Sequence, residues 1–146
     1  MTAATAPTLN ARVIALAHHA ARTLAEGALD RHGITFHQSV TLRAVTVAGG
    51  SVPHDELVTE IQNSLKTTET IVQTVIEELL TAGLLTQEDS LLRLTATGRD
   101  LYETTAAATA EIAARLYAGI PAEDLAVAGR VLTLITDRAN AELGTG

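Results

Sequence analysis

Four of the chain's five histidines fall within its first 37 residues: His18 and His19 side by side, then His32 and His37 on either side of Gly33. Arg22 follows His18 by one helical turn, Arg43 lies a little further on, and Phe36, the only phenylalanine, adjoins His37. Imidazoles can ligate a metal or hydrogen-bond a small molecule, and a guanidinium can clamp an anion. Neighbouring residues on a helix point about 100° apart, so His18 and His19 cannot both serve one compact metal site, and no cysteine is available to join them. The expectation is therefore no metal, and a small-molecule site drawing on His18, His19, Arg22, Phe36, His37 and Arg43. The plainer alternative makes these ordinary surface or interface histidines, with Arg22 paired to Glu26 or Asp30.

Catalysis has little to work with. The chain lacks cysteine, a serine in a nucleophile-elbow setting and a glycine-rich phosphate loop, and its carboxylates have no histidine at a defined spacing. A single histidine doing acid–base chemistry in a pocket is the one route left to an enzyme, and a non-enzyme is expected.

The elements that must carry these groups follow from periodicity. Leu9, Val13, Leu16, Ala17, Ala20, Leu24 and Ala28 recur at three- and four-residue steps, which predicts a long amphipathic helix stopped by Gly33. Thr35 and Gln38 form a capping box for a second helix through about Val47, broken by Ala48-Gly49-Gly50-Ser51. Pro53 suits the first turn of a third helix with Leu57, Ile61 and Leu65. After a tight turn, Thr68 can cap a fourth from about Glu69 to Ala82, with Val72, Ile76, Leu79 and Leu80 on one face and Gly83 as its stop. Two apolar runs, Leu84-Leu85 and Leu91 to Leu94, flank the polar tip Gln87 to Ser90 and predict a small hairpin. Thr97 can cap a fifth helix carrying Leu101, Thr105, Ala108, Ile112 and Leu116. Leu125, Ala128, Val131, Leu132, Ile135, Ala139 and Leu143 predict a sixth.

The fold class is thus mainly α, a single domain of 146 residues with one β-hairpin. Aliphatic residues and alanine must supply its core, because Phe36, Tyr102 and Tyr117 are the only aromatics. The terminal helices carry apolar faces far in sequence from the compact middle. A two-fold dimer in which both ends of the chain pack against a second copy would cover them.

No apolar run approaches the roughly 20 residues that span a bilayer, and "MTAATAPTLN" lacks the basic and apolar regions of a leader. A cytoplasmic protein with no membrane partner is expected. The net charge of −7 is unevenly placed. From Ser51 to Thr95 only Lys66 and Arg93 stand against Asp55, Glu56, Glu60, Glu69, Glu77, Glu78, Glu88 and Asp89, a local balance of −6.

The order of elements, with "LDRHGIT" before the second helix, "IQNSLKTTETIV" and "LLTAGLL" through the helix pair, "LTATGRDLYE" after the hairpin and "GIPAEDL" opening the last helix, resembles the MarR family of winged helix-turn-helix regulators over nearly the whole chain. "LTATGR", Leu94 to Arg99, is its most specific item. The resemblance implies a homodimer held by helices at about 8–32 and 97–143, a winged helix-turn-helix lobe at about 34–95, and no cofactor. It further implies palindromic double-stranded DNA as a partner, and a phenolic or carboxylate effector in a cleft where the dimerisation and DNA-binding lobes meet. Thr70, Ile71, Gln73 and Thr74 fall on the positions that face base edges, where Thr and Gln hydrogen-bond and Ile meets a thymine methyl. Lys66, Thr68 and Arg93 fall at the turn, the N-cap and the wing.

Several positions depart from that pattern. Lys66 stands where the family usually has Gly, Glu69 where an Arg is common, Thr74 and Glu78 where bases are common, and the wing is shortened to "TQEDSLLR". DNA-binding dimers neutralise on the order of 6–10 phosphates, and the stretch from Ser51 to Thr95 offers two cations per subunit. The expectation is a ligand-responsive regulator with weak, highly salt-sensitive DNA binding. The alternative is a dimer of the same fold that has lost DNA binding and takes a small molecule or a protein. Glu77 and Glu78 are expected to form a solvated helix face.

Overall fold

In a computed structural model describing residues 6–144, six helices and three strands follow one another as α1 (Ala11–Asp30), α2 (Phe36–Val47), β1 (Ser51–Pro53), α3 (His54–Leu65), α4 (Glu69–Thr81), β2 (Leu85–Glu88), β3 (Leu91–Leu94), α5 (Ala96–Tyr117) and α6 (Ala122–Glu142). Residues 1–5, part of the stretch read above as lacking a leader, lie outside the described residues. No helix among those described is long and apolar enough to cross a membrane.

Local chemistry sets most boundaries. Asn10 caps α1 by accepting the Val13 N–H at 2.9 Å. The Thr35–Gln38 capping box forms in full, the Thr35 hydroxyl accepting the Gln38 N–H at 3.1 Å and the Gln38 side-chain Oε1 accepting the Thr35 N–H at 3.0 Å. The fifth helix starts earlier than its sequence suggested, because Thr95 rather than Thr97 is its N-cap. The Thr95 hydroxyl accepts the Gly98 N–H at 2.9 Å while donating to the carbonyls of Gly83 at 2.7 Å and Leu84 at 3.1 Å. One side chain therefore begins α5 and ties it to the exit of α4, a link Thr97 has no means to make.

The predicted hairpin is part of a three-stranded antiparallel sheet in the order β1-β3-β2. Strand β1 pairs Val52 with Leu92, and β2 pairs Gln87 with Leu92 from the other side. Gln87 and Glu88 belong to the ladder, so the tip is only Asp89 and Ser90, with Asp89 at φ 55°. Strand β1 escapes sequence reading because three residues ending in proline carry no alternation to detect. Pro53 closes this strand and precedes α3 instead of lying within it.

The core lies in the middle of the chain, where Leu42, Val45, Leu57, Ile76, Leu79, Leu85 and Leu92 are almost fully buried. Each such side chain contributes roughly 1.5–3 kcal/mol by leaving water. Helix α1 joins this core only at its C-terminal end, through Leu29, and α5 through the half-buried Leu101 and Tyr102. Helix α6 buries no residue at all, and its Leu132 and Ile135 are 38% and 41% exposed.

Candidate nucleic-acid interface

Helices α3 and α4 meet at a turn made by Lys66, which takes the left-handed conformation (φ 54°, ψ 46°) while the Thr67 N–H bonds back to the Gln62 carbonyl at 3.3 Å. This is the conformation that Gly adopts at low cost and an L-residue does not. Thr68 then caps α4, its hydroxyl accepting the Ile71 N–H at 3.3 Å. Val72, Val75, Ile76 and Leu79 bury one face of α4 in the core. The helical period consequently turns Thr70, Ile71, Gln73 and Thr74 outward, and all four are exposed, as is Thr68.

The exposed face is polar but partly occupied with itself. The Thr74 hydroxyl donates to the Thr70 carbonyl at 3.0 Å, and the Gln73 amide donates to Glu69 at 3.3 Å. Each leaves acceptor capacity on its side-chain oxygen, and the Gln73–Glu69 bond is weak enough to exchange for a base edge.

The two cations of the lobe sit differently from one another. The Lys66 ammonium donates to the Asn140 Oδ1 at 2.6 Å, which directs it to the last turns of α6. Arg93 is exposed on the central strand β3, opposite Ser51 on one side and Thr86 on the other, and not at the wing tip, which carries Asp89. Glu77 is exposed on the α4 surface, whereas Glu78 accepts a hydrogen bond from the Gln38 amide at 3.1 Å and so braces α4 against α2. Glu78 is, like Glu77, an exposed carboxylate on the helix face that the sequence predicts, with this one tether in addition. The tether escapes a sequence reading because its partners are 40 positions apart, as the Lys66–Asn140 pair is by 74.

The six effector candidates are only partly brought together. His18 and His19 lie on exposed α1 with their rings 5.4 Å apart and tilted. Arg22 stacks over the Phe36 ring at 4.2 Å and pairs with Glu26 at 3.4 Å, which joins α1 to the start of α2. His37 touches the Phe36 ring edge, with centroids 6.2 Å apart, and lines a groove of about 390 Å³ shared with Thr70, Ile71 and Thr74 of α4. Arg43 lines another groove, about 230 Å³, between α2 and α3 beside Glu60. Arg22 and Phe36 are therefore brought together, His37 is turned toward the α4 face, and Arg43 lies apart from both.

No family model matches the sequence, and no curated protein matches it. Solved structures do. MarR from E. coli in its reduced form superposes with a TM-score of 0.70 at 17% identity, covering 89% of this chain and 95% of that one. CouR from Rhodococcus jostii RHA1 bound to p-coumaroyl-CoA gives 0.74 at 17% identity, covering 85% and 88%. A Mycobacterium tuberculosis MarR family protein in complex with DNA gives 0.68 at 22% identity, covering 88% and 98%. Agreement over nearly the full length of each, at this geometry, establishes that the chain has the winged helix-turn-helix fold of the MarR-family transcriptional regulators.

Proposed function

We propose that the protein is a MarR-type transcriptional regulator that works as a homodimer, contacts a palindromic DNA site through α4 and responds to a small phenolic or carboxylate effector. The observation that carries this reading is the α4 surface: a buried face from Val72 to Leu79 and an outward row of Thr70, Ile71, Gln73 and Thr74 that is exposed among the described residues. Those side-chain types suit base edges, and the DNA-bound neighbour of the same fold supports the use of this face. Dimerisation is supported by α6, a 21-residue helix without a buried residue. Helices in proteins gain most of their stability from packing an apolar face, so a second copy is the natural cover. The Arg22–Phe36 stack between α1 and α2 offers a guanidinium to a carboxylate effector.

A second reading is favoured by the electrostatics. With eight carboxylates in the lobe and Lys66 engaged with Asn140, the dimer could serve as a small-molecule or protein binder without DNA affinity. Titrating the purified protein against the DNA upstream of its own gene at two salt concentrations separates the two. Sequence-dependent binding that survives unlabelled competitor supports the regulator, and no binding even at low salt overturns it. Light scattering checks the assembly, for which a mass near twice 15.3 kDa is expected and a stable monomer would refute the dimer.

A further inference from the structure

The groove between the start of α2 and the outward face of α4 is built for a different ligand from the anionic effector proposed above. Along α4, Thr70, Thr74 and Glu78 succeed one another at four-residue steps and form one row, with Ile71 and Val75 in the row beside it; Thr35 and His37 supply the opposite wall from α2. Its volume of about 390 Å³ lies within the range of small-molecule sites; Ile71, Val75 and the threonine methyls give it apolar surface, and its polar groups are the hydroxyls of Thr35, Thr70 and Thr74, the His37 imidazole and one carboxylate, Glu78. That carboxylate is held in place. The Gln38 amide donates to Glu78 Oε1 at 3.1 Å, and Gln38 is itself fixed by the Thr35 N–H on its carbonyl at 3.0 Å, so the capping box of α2 positions Glu78. No ion pair to Glu78 forms among the described residues. Ile71, 46% exposed, gives an apolar surface next to it.

We infer that this groove binds a small organic cation, an ammonium or amidinium group on a compact apolar body, with the charge on Glu78 and the body against Ile71 and Val75. Charge complementarity selects the ligand: the groove's one carboxylate lies in the Ser51 to Thr95 stretch, of balance −6, and would repel a carboxylate effector. Because Thr70, Ile71 and Thr74 also belong to the face assigned to base contacts, an occupied groove and a bound duplex exclude one another. This regulatory consequence rests on the proposed DNA-binding reading, whereas the site itself does not.

The test uses 2-phenylethylamine as the cation probe and phenylacetate as its anionic counterpart, followed by amide NMR on the isotope-labelled full chain. The amine is expected to bind saturably with a Kd of about 1 mM, as suits a fragment of its size, shifting the Thr70, Ile71 and Val75 amides; phenylacetate should leave them unmoved. Glu78→Gln keeps an acceptor for Gln38 and removes the charge, and should weaken the amine about tenfold. Ile71→Ala, an exposed position, should weaken it independently. Unchanged affinity in Glu78→Gln, equal binding of phenylacetate, or no saturable shift overturns the site. In a second arm, the amine should displace the labelled promoter duplex from the wild-type chain at concentrations that leave the Glu78→Gln complex intact. Displacement from both equally refutes the competition, and a duplex that never binds refutes the DNA-binding reading while the NMR arm still decides the site.

Discussion

At Gly98 the first turn of α5 passes so close to the chain entering β2 that a Cβ would collide with the Leu84 carbonyl and press on Leu94 Cδ1 at 3.0 Å. The Leu84 carbonyl has no room to yield, because it accepts both the Thr95 N–H at 3.2 Å and the Thr95 hydroxyl. Gly98→Ala should therefore destabilise the fold by about 2–3 kcal/mol, in the range of overpacked cores, and an unfolding free energy from urea titration within about 0.5 kcal/mol of wild type would show that the contact relaxes. Lys66 poses the opposite problem, a side chain where its absence would be easier. Lys66→Ala and Lys66→Gly both forfeit the ammonium bond to Asn140, so their difference isolates the left-handed backbone. The glycine variant should be the more stable of the two by about 1 kcal/mol in thermal or urea unfolding. Equal stabilities would mean that the turn relaxes out of the left-handed region when the side chain is shortened.

Between elements, the caps do unequal work. Thr35 closes a local box at the start of α2, whereas the Thr95 hydroxyl spans the end of α4, the entry to β2 and the start of α5. Thr35→Ala should cost about 1 kcal/mol and Thr95→Ala about 2 kcal/mol, the extra arising from two carbonyls left without their hydroxyl donor. Thermal unfolding of the two variants side by side checks the order, which a larger loss at Thr35 would reverse. The same contrast explains what the sequence made legible. Elements written in short-range signals were readable: the capping box at Thr35–Gln38, the periodic apolar face of α4, and Thr68 as its cap. The start of α5 was misplaced by two residues because both Thr95 and Thr97 are plausible caps by composition, and the deciding bonds reach back 11 and 12 positions. Strand β1 was missed because only its pairing with β3 makes Ser51–Pro53 a strand. For the candidate site, the apolar face of α4 followed from periodicity and the outward places of Thr70, Ile71, Gln73 and Thr74 from the family resemblance, while the separation of His37 from Arg43 by the packing of α2 onto both α4 and α3 followed from neither.

Across the whole molecule, charge decides how a fold of this kind can meet a polyanion. Each Lys or Arg that neutralises a phosphate releases a counterion and adds about 0.9 to the steepness of the logarithmic fall of affinity with salt. Between Ser51 and Thr95 only Arg93 and Lys66, whose ammonium is shared with Asn140, can do this, so from that stretch a dimer would neutralise about two to four phosphates and show a slope of about −2 to −4. Binding is then expected to be weak because cations are few, and a salt series measures how many phosphates they neutralise. The carboxylates act differently, since Glu69 and Glu77 flank the outward row and repel phosphates without engaging any. At about 1 kcal/mol for a unit charge pair 4 Å apart in water, falling with distance and salt, removing both should raise duplex affinity about tenfold at low salt. Fluorescence anisotropy of the Glu69→Gln, Glu77→Gln double variant across a salt series should show that gain with the slope unchanged. Thr74→Arg, on the same face, should instead steepen the slope by about 2 per dimer, one new phosphate contact in each subunit. Should the double variant gain nothing while Thr74→Arg leaves the slope flat, the α4 face does not approach a phosphate backbone, and the acidic lobe belongs to a binder of some other partner.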